Sequence, residues 1–135
     1  MRGAGDRAGE IPANVRELIL QHIDSVEQLE VLLLLHDHGD RDWSAEDVSG
    51  ELRTNTQSTA MRLADLTARG LVAEGATREV YRYSPRTHDV NSAVEGLARE
   101  YAVRRVSVIT LIFAKPLDRI RSFADAFRFR RDSDA

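Results

Sequence analysis

One short run of apolar residues constrains the fold of this chain more than any other feature. Val31 to Leu35 are five consecutive apolar residues, and Val26 and Leu29 precede them at helical spacing. A helix that is apolar on most sides must be enclosed by other elements, so this segment predicts a central core helix. Ser25 and Gln28 are typical of a capping box at its start. We therefore expect a domain of several helices built around this one.

Length and composition limit the class of protein. The chain has 135 residues, of which 42% are hydrophobic and 30% charged, a balance typical of one soluble domain with appended helices. It contains no cysteine, which excludes disulfides, thiolate zinc sites and cysteine nucleophiles. The N-terminus has no signal-peptide core, and the longest apolar run, Val106 to Ala114, is too short to span a bilayer. We expect a cytoplasmic protein without membrane contact.

The charge is unevenly distributed along the chain. The net charge of -3 gives no overall sign of nucleic-acid binding. Residues 98–135 carry nine basic against five acidic side chains, whereas residues 44–85 carry five basic against six acidic ones. Eighteen of the nineteen basic residues are arginine, and Lys115 is the single lysine. This excess of arginine over lysine would arise from a preference for bidentate phosphate contacts or from a GC-rich genome. We favour the second explanation.

Helix start and stop signals divide the chain into four parts. Residues 1–10 predict a disordered lead, 11–24 an N-terminal helix, 25–85 a folded domain and 86–135 a C-terminal helical region. In the last part, the pattern from Asp89 to Phe113 favours one long helix, because no turn residue interrupts it. Pro116 then breaks or kinks the chain before a final amphipathic helix.

Within residues 25–85, two further helices and a hairpin follow the core helix. Trp43 stands in a short extended stretch, and Ser44 with the acidic residues after it predicts a second helix start. After a polar break, a third helix is expected at roughly 56–69, and Gly70 is its natural stop. Its inward positions are Thr59, Leu63 and Leu66. The extended candidates 71–74 and 79–84, with a turn between them, predict a β-hairpin.

This order of elements resembles that of bacterial winged helix-turn-helix regulators, including those of the MarR type. The resemblance covers residues 26–85, and the segment SAEDVSGELRTNTQSTAMRLADLTARGLVAE carries most of it. Its most specific parts are Leu63-x-x-Leu66-x-x-x-Gly70-Leu71-Val72 and the YRYSP that closes the hairpin. Where the MarR type usually has Asp-x-Arg, this chain has Gly75-Ala76-Thr77-Arg78. The resemblance implies a mainly α fold with a small β-hairpin: a winged helix-turn-helix core, an N-terminal helix and long C-terminal helices.

The same resemblance implies a double-stranded DNA-binding regulator. The third helix would enter the major groove, and the hairpin at 71–84 would be the wing. If its apolar residues face the core, the opposite face carries side chains that reach bases or phosphates. The predicted DNA-binding residues are Asn55, Thr56, Gln57, Ser58, Ala60, Met61, Arg62 and, at the wing tip, Arg78. Any solvated helix shows a similar polar set, so a plain surface is the competing interpretation.

The C-terminal apolar residues predict a homodimer. Affinity for DNA rests largely on phosphate neutralisation, and the slightly negative module binds weakly unless two copies combine. The predicted interface residues are Val106, Ile109, Ile112, Phe113, Leu117 and Ile120. The alternative is that the chain folds back and buries these side chains within one subunit.

Motifs for catalysis are missing from the sequence. It has no Gly-x-Ser-x-Gly, P-loop or HExxH pattern, so we expect neither an enzyme nor a cofactor. The sequence has one cluster of side chains that could bind a metal, formed by His36, Asp37, His38, Asp40 and Asp42. These residues also fit a polar loop between helices, and we expect no metal there. Two functions compete with the regulator: a winged-helix module that binds a protein instead of DNA, and a sensing repressor with an unknown small-molecule effector.

Overall fold

Residues 10–115 are the part of the chain that the computed structural model describes. They form a mainly helical structure with a small three-stranded antiparallel sheet. None of the helices in this range combines the length and hydrophobicity that a bilayer crossing requires. Residues 1–9 of the predicted lead at 1–10, the final helix predicted after Pro116 and the interface residues Leu117 and Ile120 lie outside the described range. The elements are α1 (Ala13–His22), α2 (Val26–Asp37), β1 (Trp43–Ser44), α3 (Ala45–Leu52), α4 (Thr56–Ala68), β2 (Val72–Glu74), β3 (Val80–Tyr83), α5 (His88–Val103) and α6 (Arg105–Phe113).

The predicted core helix is confirmed as α2. It packs against α3, α4, α5 and β3, so that other elements enclose it on several sides. The fully buried apolar side chains on α2 are Leu29, Val31, Leu32 and Leu35. Burying a side chain of this size stabilises the fold by about 1.5–3 kcal/mol. The helix therefore supplies much of the core on which the neighbouring elements are placed.

Side-chain caps fix the starts of α2 and α3. The hydroxyl of Ser44 accepts a hydrogen bond from the backbone N–H of Asp47 at 3.0 Å, and the Asp47 carboxylate accepts from the Ser44 N–H at 3.3 Å. This is a complete capping box. Ser25 likewise accepts from the N–H of Gln28 at 3.0 Å. The Gln28 side chain, however, accepts from the N–H of Asp24 at 2.6 Å, one residue before the cap, so the predicted box is only half formed.

The predicted hairpin is present, and a third strand extends it. β2 and β3 pair antiparallel, with Glu74 opposite Tyr81. β1 pairs with the other edge of β3, with Trp43 opposite Tyr81 and Ser44 opposite Val80. A strand of two residues leaves no alternating pattern for the sequence to show. This pairing fastens the chain before α3 to the hairpin after α4.

Gly70 ends α4 as predicted. Its φ is 80°, in the left-handed region that residues with a Cβ rarely adopt. The N–H of Gly70 donates to the carbonyl of Thr67, and the N–H of Leu71 donates to the carbonyl of Leu66, both at 3.1 Å. This is the Schellman arrangement, which satisfies carbonyls that a helix end leaves without partners. The tight stop directs the chain straight into β2.

The single long helix predicted from Asp89 to Phe113 is wrong. α5 ends at Val103, and Arg104 leaves the helical region with φ -131° and ψ 52° before α6 begins. α6 turns back to contact α1, and it buries Val108 and Ile112 to 0% and 1% exposure. Each of these burials contributes about 1.5–3 kcal/mol. Together they outweigh the backbone hydrogen bonds lost at the break, which are worth about 1 kcal/mol each.

Lys115 joins the two ends of the described chain. Its side chain is buried, and its Nζ donates to the carbonyl oxygens of Ile19 at 3.1 Å and Ile23 at 2.7 Å. It also donates to the carboxylate of Asp24 at 3.1 Å. The carbonyl of Ile19 also accepts from the backbone N–H of Ile23, which caps the helix. Lys115 therefore adds donors at the C-terminal end of α1 from the far end of the described residues.

Candidate nucleic-acid interface

The apolar side of α4 holds the helix on the domain. The predicted inward residues Thr59, Leu63 and Leu66 are all 0% exposed, and α4 packs against α2 and α3. Asn55 caps the helix, because its Oδ1 accepts from the N–H of Ser58 at 2.8 Å. Asn55 was predicted to contact DNA, and the structure places its side-chain oxygen on the helix backbone. The cap fixes the N-terminal turn that would approach a duplex first.

The far end of α4 is fastened by Arg69. Its guanidinium donates to the carboxylate of Asp65 at 3.1 Å, to the carboxylate of Asp24 at 2.9 Å and to the carbonyl of Gln21 at 3.0 Å. Asp65 also accepts from the buried Gln28 side chain at 2.7 Å. These bonds connect α4 to both α1 and α2. The helix is therefore fixed at both ends.

The outward face of α4, which we define as Thr56, Gln57, Ala60, Met61 and Ala64, carries no charged side chain. All five residues are exposed, and Met61 keeps 63% of its surface accessible. The Thr56 hydroxyl lies 2.9 Å from that of Ser49, so it already has a partner. Gln57 holds the one amide of the set, and an amide can pair bidentately with adenine. The face therefore offers one amide and a mostly apolar surface.

Glu27 on α2 gathers donors from α4 and from the turn before it. Its carboxylate accepts hydrogen bonds from the hydroxyl of Thr54 at 3.0 Å, the hydroxyl of Ser58 at 2.6 Å and the Nε of Arg62 at 3.1 Å. We call these four residues the Glu27 cluster. Burial raises the pKa of Glu27, but the hydrogen bonds from Ser58, Arg62 and Thr54 outweigh it and hold the pKa below its ordinary value. Glu27 is thus charged at neutral pH.

The Glu27 cluster contains two predicted DNA-binding residues, Ser58 and Arg62. The Ser58 hydroxyl is committed to Glu27. Arg62 commits only its Nε, and its side chain is 32% exposed. Within residues 10–115, no group accepts a hydrogen bond from its two terminal nitrogens. Arg62 therefore keeps an edge of its guanidinium available for a ligand. Glu27 was not among the residues predicted from the sequence, since no local signal marks a contact across 35 positions.

Asp42 fixes the turn of the hairpin. Its carboxylate accepts from the backbone N–H of Ala76 at 2.9 Å and from the Nε of Arg82 at 2.7 Å. These two donors hold the pKa of Asp42 below its ordinary value. A Cβ at Gly75 would lie 2.5 Å from this carboxylate, so a larger residue would displace it. The predicted contact residue Arg78 is exposed in the turn that Asp42 holds.

The segment at 36–42 was expected to be a polar turn, but its first two residues, His36 and Asp37, belong to the last turn of α2. Its side chains make contacts within the protein. The ring of His36 meets the Tyr83 ring edge-on at a centroid distance of 5.0 Å, and the ring of His38 lies 5.8 Å from that of Trp43. Over residues 10–115, no three His, Cys, Asp or Glu side chains come together in a way that could hold a metal ion.

The predicted interface residues on α6 divide into two groups. Val106 and Phe113 are 76% and 62% exposed, and Ile109 is half-buried. Ile112 is 1% exposed and belongs to the core of its own subunit. Val103, at the end of α5 and three residues before Val106, is 73% exposed. We call Val103, Val106, Ile109 and Phe113 the α6 face.

Comparison with known proteins assigns the chain to no family. A scan against protein-family models found no match. Searches of curated proteins and of solved structures found none either. The residues of α4, the hairpin and α6 are therefore the basis for a function.

Proposed function

We propose that this chain has a winged helix-turn-helix core and binds double-stranded DNA as a transcription regulator. In the proposed complex α4 lies in the major groove, and the hairpin at 71–84 is the wing. The observation that carries the proposal is the setting of α4, whose inner side is completely buried while Gln57 and Met61 stand exposed near its start. A helix about 10–12 Å wide fits the major groove with its N-terminal turns toward the bases.

The connection between α3 and α4 supports this proposal. Three residues, 53–55, separate the two helices, which is the turn length of DNA-binding helix-turn-helix units. Arg53 in this turn has a φ of 58°, which lets the chain reverse sharply. The caps and ion pairs of α4 fix its position before binding. Binding DNA would therefore cost little conformational entropy in the helix.

The outward face of α4 defines the roles of its side chains in the proposed complex. Gln57 pairs with adenine through its amide, and Ala60 or Met61 contacts a thymine methyl group. The terminal nitrogens of Arg62 reach a guanine. Arg78 in the hairpin turn approaches the DNA backbone, which supplies affinity without sequence information.

We infer that the regulator acts as a homodimer through the α6 face. An exposed apolar patch of this kind marks an interaction site more often than a free surface. Two copies related by twofold symmetry would place the same face on each partner. They would also present two copies of α4 to two half-sites, which compensates for the small number of phosphate contacts per module.

Binding of DNA is tested by selection from random-sequence duplexes, followed by gel shifts at two salt concentrations. The intact protein is expected to select a preferred site and to bind it less at higher salt, because bound phosphates release counterions. Replacing Gln57→Ala and Arg62→Ala together is expected to weaken the preferred site by roughly 30-fold or more, since the two base contacts are worth about 1–3 kcal/mol each.

The matched control for this experiment is Gln21→Ala with Arg99→Ala, the same two residue types at exposed positions on α1 and α5. This control is expected to select and bind the preferred site as the intact protein does. Absence of any retained duplex for the intact protein at low salt contradicts the proposal.

One observation favours a second function, the binding of a protein by α4. The outward face is mostly apolar, and Met61 is 63% exposed between Ala60 and Ala64. The nearest cation, Arg62, is already paired with Glu27. Such a face suits a helix or groove of another protein better than a phosphate backbone. Failure of the gel shifts would make this the leading function.

The dimer is tested by light scattering on a double variant of the α6 face. Val106→Asp with Phe113→Asp is expected to convert a particle of twice 15.2 kDa into one of 15.2 kDa, because two charges then enter an apolar interface. Leu20→Asp is the control, since Leu20 is an exposed apolar residue of α1 and is not one of the four residues of this face. A monomeric intact protein at tens of micromolar contradicts the proposed interface.

A further inference from the structure

We propose that Glu27 is a positioning residue that makes Arg62 a reader of bases rather than a binder of phosphates. The inference rests on the proposed binding of DNA and assigns a cause to its sequence preference. It predicts that this carboxylate, which would repel DNA if it acted alone, improves the discrimination between sequences.

The geometry of the Glu27 cluster restricts Arg62. Ser58 and Arg62 are four positions apart on α4, so their side chains lie on the same flank of the helix. Both donate to one carboxylate oxygen of Glu27, and Thr54 donates to the other. The carboxylate is therefore held by donors from two directions. It in turn holds the Nε of Arg62, which leaves the terminal edge of the guanidinium as the part that meets a ligand.

The charge of Glu27 changes what that edge prefers. At 3.1 Å from Nε, the carboxylate cancels much of the attraction between Arg62 and a phosphate several ångströms away. The two terminal nitrogens still donate hydrogen bonds along fixed directions, as a guanine edge requires. A guanidinium already held in place also loses less side-chain freedom when it binds a base. The Glu27–Arg62 pair therefore lowers the nonspecific affinity for DNA and raises the ratio of affinities for the preferred site and for other sequences.

No other carboxylate among the described residues positions a side chain near the start of α4. Among residues 10–115, Glu27 is the one acid hydrogen-bonded to a side chain in the first seven residues of α4. Asp65 acts at the far end of the helix. Glu30, one turn further along α2, accepts from the hydroxyl of Tyr101 at 2.8 Å and makes no bond to α4. Glu30 is therefore a matched comparison for Glu27.

The experiment measures the ratio of affinities for the selected site and for a scrambled duplex of equal length, at several salt concentrations. Glu27→Gln is expected to bind the scrambled duplex several-fold more tightly, with a salt dependence steeper by about one unit, because Arg62 becomes an ordinary phosphate contact. The affinity ratio is expected to fall roughly tenfold, the value of one good base contact. Glu30→Gln removes the same charge and is expected to leave the ratio unchanged.

Two further variants connect the effect to Arg62. In an Arg62→Ala background, Glu27→Gln is expected to change the ratio no further, since the two residues act as one unit. Arg62→Lys keeps the charge without the planar fork, and it is expected to lower the ratio while the scrambled duplex binds at least as tightly. This variant tests whether Arg62 reads bases, the part of the inference that does not depend on the folding of Glu27→Gln.

The outcomes separate the inference from the proposed function. An intact protein that binds no duplex at low salt overturns both. An intact protein that selects a site, with a ratio unaltered by Glu27→Gln and Arg62→Lys, overturns the inference alone. Equal losses for Glu27→Gln and Glu30→Gln also overturn it, since charge alone would then be the cause.

Discussion

Replacing Trp43 with alanine is expected to lower the free energy of unfolding by about 3–5 kcal/mol, the range for removing a large aromatic side chain from a core. Trp43 is only 4% exposed, and β1 places it opposite Tyr81 on the hairpin. Its indole N–H donates to the carbonyl of His38 at 3.4 Å, and the guanidinium of Arg41 lies 3.8 Å above the ring. The loss is a large part of the roughly 5–15 kcal/mol that stabilises a domain.

Urea denaturation followed by circular dichroism measures this loss. Fluorescence cannot follow the variant, because Trp43 is the single tryptophan of the chain. Trp43→Phe keeps most of the apolar volume and loses the indole hydrogen bond, so it is expected to cost only about 1–2 kcal/mol. An alanine variant that loses less than the phenylalanine variant would contradict the structural role given to this side chain.

Lys115→Met is expected to lower the free energy of unfolding by about 1–3 kcal/mol. The methionine keeps an unbranched apolar stem, but the carbonyl oxygen of Ile23 loses the donor that Lys115 supplied, whereas the carbonyl oxygen of Ile19 still accepts from the backbone N–H of Ile23. A buried acceptor left without a donor costs about 1–3 kcal/mol. Asp24 still accepts from Arg69, so its carboxylate adds little to the loss. For a chain of this size, we expect the melting temperature to fall by roughly 10 °C.

Arg99→Met on the exposed side of α5 is the control for this substitution. It removes the same positive charge and is expected to change the unfolding free energy by less than about 0.5 kcal/mol, as for most surface positions. Equal effects of the two variants would show that net charge, rather than the end of α1, explains the loss at Lys115.

Local signals in the sequence placed most of the helices and the hairpin. Ser44 with the acids after it marks the start of α3, and Gly70 marks the end of α4, because each makes bonds within a few residues of itself. The spacing of Thr59, Leu63 and Leu66 gave the buried side of α4 for the same reason. Features of this kind depend only on residues within a few positions of each other, so they can be predicted from the sequence alone.

The remaining features of the fold depend on distant partners. The break at Arg104 has no proline or glycine to announce it, and it arises because α6 gains burial against α1. The sequence predicts an extended stretch at Trp43, but not its pairing with β3 as a third strand of the sheet. The contact between Lys115 and Ile19 spans 96 positions. None of these has a pattern in the residues that surround it.

The candidate site was predictable to a similar degree. The exposure of Gln57 and Met61 followed from the helical spacing. The hydrogen bonds from Ser58 and Arg62 to Glu27 did not follow from this spacing, because Glu27 lies on another helix. Helical spacing alone presents every polar residue on the outer side of α4 as free to contact a ligand. The structure divides them into side chains that hold the helix and side chains that can meet a ligand.

The bonds from Lys115 to the end of α1 also set an order of events during protein synthesis. α1 leaves the ribosome before the rest of the described elements, whereas Lys115, which donates to the carbonyls of Ile19 and Ile23, is translated more than ninety residues later. Until then, α2 to α4 and the hairpin can assemble from contacts that are closer in the sequence, and such contacts form sooner. α1 therefore reaches its final place only after α5 and α6, against which it packs, have been translated, and a nascent chain halted before α5 would expose the apolar side of α1 to chaperones.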